Sequence, residues 1–290
     1  MTSSTPRLSG VRTFLFVGLA IVWFGEGVST GVQPLAETWT RFWKMFPPGN
    51  STLAAALYVT HAFEAPLKAG LLILALFGLL SRNPSVRTPL FVSMSLVPPI
   101  NIAFHFRAQG FPLVSMTIAT TLSAILWGSF LLTDEHAEPP PPHEAPRQDI
   151  VERAWFGVSA AVLTSMGLLA LLAPKTMLYW EFPCLTSTFD THQSELSSLT
   201  VSILAAGSHL TALATASWFG TVGYRTNRTL RQAIALSSIA VAALMCALPL
   251  RQVVQQGGWT CARSPILLPF VLLLVGWVAY AAIGRMRGNV

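Results

Sequence analysis

The chain has 290 residues, 52% of them hydrophobic and 10% charged, with a mean hydropathy of +0.56. An ordinary soluble domain carries about 25% charged residues, so this composition argues against a water-soluble globule. The net charge of +6 does not point to nucleic acid, because no basic stripe with interleaved aromatics stands outside the apolar runs.

Crossing a hydrocarbon core takes about 20 mostly apolar residues as a helix. Eight such runs occur, at roughly 12–31, 52–80, 89–107, 112–133, 153–173, 199–222, 231–250 and 264–284. Closed β-barrels alternate with period two, and nothing here does. The expected fold class is therefore all-α, a polytopic membrane protein of two four-helix units. The short loops on the N-terminal side collect eleven Lys and Arg residues and those on the other side six. By the positive-inside rule both termini are expected in the cytosol, with the endoplasmic reticulum as the site in a eukaryote and the inner membrane in a bacterium.

The first run follows Arg7 and Arg12 but is long and lacks an A-x-A pattern, so it reads as a retained helix rather than a cleaved signal. Trp23, Glu26 and Thr30 share one of its faces, and Gly25 and Gly27 permit close approach of a neighbour. In the second run His61, Glu64 and Lys68 stand at i, i+3 and i+7, again on one face. Pro66 between them removes a backbone bond and is expected to bend the helix. The third run is broken by Pro98-Pro99, after which Asn101 and His105 share a face.

Residues 134–152 are acidic and Pro-rich and read as an extended cytosolic linker between units 1–133 and 153–290. The units echo one another weakly. Val11 to Ala20 resembles Val151 to Ala160, and Phe77-Gly78 and Phe219-Gly220 each precede a turn with Asn83 or Asn227. Even helix numbers make this a parallel tandem repeat. Within its spans the second unit offers only His209 with Ser and Thr. Cys184 and Cys261 fall in loops on the non-cytosolic side and are candidates for a disulfide, with two free thiols as the alternative. Cys246 is expected to pack inside a helix.

Charges at mid-membrane cost at least about 2.5–3.5 kcal/mol each on insertion scales, so they should face a cavity or each other. Glu64 and Lys68 are oriented to neutralise one another, and an ion pair that only joins helices accounts for them without any ligand. The functional alternatives start from the polar set of the first unit. A desolvated acid, Glu64 with His61 as partner and Glu26 as second carboxylate, would protonate an alkene or epoxide, with Trp23 and Phe63 facing the cation and Lys68, Asn101 and His105 completing a substrate site. Axial haem ligation by His61 and His105 lacks a matched pair at equal depth. A transporter relay through His61, Glu64 and Lys68, or a retinal Schiff base on Lys68, would use the same groups. No metal or cofactor motif is present, and neither is expected.

The segment Glu37-Thr-Trp39-Thr-Arg-Phe-Trp43-Lys-Met-Phe-Pro47, the second helix with His61, Glu64 and Pro66, and Ser85-Val-Arg87-Thr88-Pro89 opening the third together resemble the EXPERA-domain family. These four-helix membrane proteins include the emopamil-binding sterol isomerase. The resemblance covers residues 20–130 and implies that Glu26 matches the pocket acid of the first helix and that His61 with Glu64 matches the proton-moving pair of the second. The chain departs from that pattern in spacing the pair three apart rather than four, and in Lys68. The function expected is a membrane enzyme of the isomerase or cyclase type acting on an isoprenoid or sterol-like lipid. The alternative is a non-catalytic lipid-binding, transport or complex-assembly protein.

Overall fold

The computed structural model describes residues 6–31, 51–81, 83–105, 150–181, 183, 193–222, 227–255 and 267–286. Among them the helices are α1 (Pro6–Gly31), α2 (Ser51–Leu80), α3 (Pro84–Ser95), α4 (Val97–His105), α5 (Ile150–Leu172), α6 (Pro174–Glu181), α7 (Gln193–Val222), α8 (Arg228–Gln255) and α9 (Leu267–Met286), with no strand. Segments of α2, α5, α7 and α8 are long and apolar enough to cross a membrane by length and composition, and α1 and α9 carry shorter apolar stretches. The expected span 112–133, most of the linker 134–152, and Cys184 and Cys261 lie outside the described residues.

Local chemistry explains the helix ends. Asn83 caps α3 by accepting the Ser85 N–H at 2.9 Å, and Pro84 sits where no intrahelical N–H is required. Asn227 caps α8 in the same way, accepting the Thr229 N–H at 3.0 Å. The third expected span divides at Leu96 into α3 and α4. Pro98 and Pro99 supply no N–H groups there, so that turn lacks its backbone bonds, while Leu96 itself keeps αR backbone. Pro66, in contrast, leaves α2 continuous over its 30 residues. The helix α6 is an element that hydropathy alone does not announce; Pro174 stands at its first position.

The two halves pack alike. The two 30-residue helices α2 and α7 touch each other at the centre, and each is flanked by the first helix of its own half, α1 on α2 and α5 on α7. Each also receives the third helix of the other half: α8 lies on α2, while α3 and α4 lie on α7. Contact details repeat as well. A Cβ added at Gly78 would collide with the ring of Phe16, and one at Gly220 would stand 2.7 Å from Cδ1 of Phe156, so in both halves a phenylalanine of the first helix fills the space a glycine leaves on the second.

Two arginines that charge counting assigns to loops tie the helices together instead. Arg87, 3% exposed, donates from Nε to the Gly78 carbonyl at 3.0 Å and from its terminal nitrogen to Thr13 Oγ1 at 3.1 Å. Arg231 pairs with Glu152 of α5 at 2.6 Å. The halves are joined on this side by Asn227 Nδ2, which donates to Ser85 Oγ at 3.3 Å.

One apolar core runs through both halves, from Leu67, Leu71, Leu74 and Leu90 to Phe156, Leu178, Phe270 and Trp277. Phe14, Ile21, Phe24, Leu172, Leu268 and Val275 point outward, the pattern of helices whose outer face meets lipid rather than water.

Candidate functional site

Glu64 and Lys68 occupy successive turns near the middle of α2. Their Oε2 and Nζ atoms are 3.1 Å apart, and the residues are 4% and 5% exposed. Helical spacing fixes this contact, and neighbouring helices remove it from solvent. The helix α1 crosses above Lys68 at Gly27, where an added Cβ would lie 3.8 Å from the Lys68 Cβ. A methyl group at this point would make an ordinary van der Waals contact with Lys68.

Trp23 of α1 is buried and meets His209 of α7 edge-on, with ring centroids 5.4 Å apart and planes at 78°. That contact joins the two halves and gives His209 a neighbouring helix to pack on, as its Ser/Thr-rich surroundings suggest. Phe63 is buried next to Glu64 in the chain. Asn101 is half-buried on α4, a helix that lies chiefly against α7. Glu26 and His61 belong to the helical backbone of α1 and α2 and His105 ends α4, but their side chains lie outside the described residues, as do His136, His143 and His192. Among the described residues the structure thus joins Glu64 to Lys68, while Trp23 meets His209 and Phe63 turns to a cavity with Leu67.

A second feature was not singled out from the sequence. A cavity of about 30 Å³ lies between the halves, lined by Phe63 and Leu67 of α2, Met166 of α5, Met177 and Glu181 of α6, Ile203, Ala206 and Leu210 of α7, Met245 of α8 and Phe270 of α9. Binding pockets for drug-sized ligands are about 300–1,000 Å³, so in this state the cavity holds only a small group. Glu181 is 2% exposed, a buried carboxylate in a segment that hydropathy assigns to a loop. The signal that could have found it is Pro174 opening a short amphipathic turn that ends in Tyr179-Trp180-Glu181.

No protein-family model, curated protein or solved structure matches the chain.

Proposed function

We propose that the protein crosses the bilayer eight times with both termini in the cytosol, as two tandem four-helix units. In this reading the first unit is a membrane enzyme that isomerises or cyclises an isoprenoid or sterol-like lipid by proton transfer. The observation that carries it is the buried Glu64–Lys68 pair in the middle of an apolar helix. Ionisable residues at that depth mark functional sites more often than packing sites, and the resemblance of residues 20–130 to EXPERA-domain proteins supports the same half.

Moving a double bond requires one proton delivered to an alkene carbon and one removed from a neighbouring carbon, with no net redox change. Glu64 delivers the first proton as the acid and His61, its partner, takes up the second, with Glu26 as the second carboxylate. Trp23 and Phe63 supply the aromatic faces that stabilise a carbocation between the two steps, with Asn101 and His105 nearer the outer end of the site.

The second reading, a non-catalytic lipid-binding, transport or assembly protein, is favoured by the closure of the pair at 3.1 Å, which needs no substrate. Glu64→Gln and Glu64→Ala separate the two. Proton transfer predicts that turnover of a lipid extracted with the protein falls by at least about 100-fold in both variants, followed by mass spectrometry of the lipid. Unchanged turnover in both sinks the acid role.

A further inference from the structure

Three of the chain's eight methionines meet at one point of the fold. Met166 of α5, Met177 of α6 and Met245 of α8 line the cavity of about 30 Å³ between the halves, together with the buried Glu181. They come from three helices, at spacings that form no sequence motif. Methionine is unbranched and adaptable, and in a core it normally fills irregular gaps. Here three of them surround a space they leave open, although Met177 and Met245 are only 6% and 2% exposed.

The volume is enough for one water molecule or one ion. A buried water needs about two to four polar partners, and of the lining residues only Glu181 is polar. What the lining does offer is thioether sulfur, a soft and neutral donor that suits Cu(I), whereas magnesium and calcium take oxygen donors. Zinc is bound by thiolate, imidazole and carboxylate, and among the described residues no three of His, Cys, Asp and Glu come together to hold it. A bare cation in an apolar interior is costly unless it is paired. With its carboxyl ionised, Glu181 supplies one negative charge at the same cavity, so a monovalent ion and its ligands are neutral together. A divalent ion would leave one charge uncompensated.

We propose that Met166, Met177, Met245 and Glu181 form a Cu(I) site between the halves. The three thioethers hold the ion and the carboxylate balances its charge. Because the donors sit on α5, α6 and α8, the ion ties the short helix α6 to two longer ones. The site does not depend on the proton-transfer reading of the first unit.

The test titrates Cu(I) into the full-length protein in detergent, without oxygen and with ascorbate, against the chromogenic chelator bicinchoninate. Cys184, Cys246 and Cys261 are replaced by alanine in every sample, because thiolates bind Cu(I) themselves. About one equivalent of copper is expected to pass from the chelator to this parent protein, with sulfur in its coordination sphere by X-ray absorption. Met166→Leu, Met177→Leu and Met245→Leu keep volume and apolarity, and each should weaken binding at least about tenfold. Glu181→Gln should do the same. Met94→Leu, at a buried methionine that does not line the cavity, should leave binding unchanged. Copper should also raise the melting midpoint of the parent protein and not that of the variant with all three methionines replaced. Unchanged uptake in that triple variant would overturn the proposal, as would no uptake by the parent or an equal loss in Met94→Leu. Should a methionine variant melt far below the parent, X-ray absorption of the copper-loaded parent decides, since oxygen or nitrogen donors alone would exclude the thioether site.

Discussion

At the scale of single residues, charge and volume make opposite demands on α2. Removing only one member of the Glu64–Lys68 pair leaves the other charge buried among apolar neighbours, so Lys68→Met alone should cost about 3–5 kcal/mol, measured as a drop in the melting midpoint in detergent. Removing both should restore most of that loss. Volume governs the other end of the same helix. Gly78 and Gly220 each leave room for a phenylalanine ring from the first helix of their half. Gly220→Val forces Phe156, which is fully buried, out of its place, and a loss of about 1–3 kcal/mol is expected. The combination Gly220→Val/Phe156→Ala should recover part of it, and additivity of the two changes would show that the contact is not the cause. The Glu64–Lys68 contact was legible in the sequence because i, i+4 spacing alone brings those side chains together. The buried state of Glu181 was not, since burial depends on which helices cover α6.

At the scale of elements, the polar caps do what hydropathy cannot. Asn227 satisfies the start of α8 and also donates to Ser85 at the start of α3, so Asn227→Ala should cost more than the cap alone, about 0.5–2 kcal/mol. Asn83→Ala, which loses the cap of α3, provides the comparison, and thermal melting of both variants measures it. Equal losses would mean that the bond between the halves contributes nothing. The division of the third span at Leu96 was readable from Pro98-Pro99, whose effect on backbone is local. The continuity of α2 through Pro66 agrees with its reading as one run, 52–80.

At the scale of the whole molecule, the outward-facing apolar residues and the four long apolar helices make this an integral membrane protein. The proposed count of eight spans makes a prediction about sidedness. In a cysteine-free background, cysteines placed at Ser3 and at Ala137 should be labelled by an impermeant maleimide from one side of sealed vesicles, and a cysteine at Thr188 from the other. Labelling of Ser3 and Ala137 from opposite sides would exclude an even number of crossings in the first unit.

Composition and hydrophobic run length determined by themselves that the chain is helical and membrane-embedded, and helical spacing determined that Glu64 lies against Lys68. These properties depend on residues within one element and on the solvent around it. Only the tertiary structure decided that α2 and α7 form the centre, that each takes a third helix from the opposite half, and that Arg87 and Arg231 serve as ties between helices rather than as loop charges. Periodicity reports which face of a helix is buried and carries no information about the partner that buries it. For the same reason the polar face of the first half could be read as a face, while the cavity between the halves, with Phe63 and Leu67 on one side and Ala206 and Leu210 on the other, belongs to the folded chain alone.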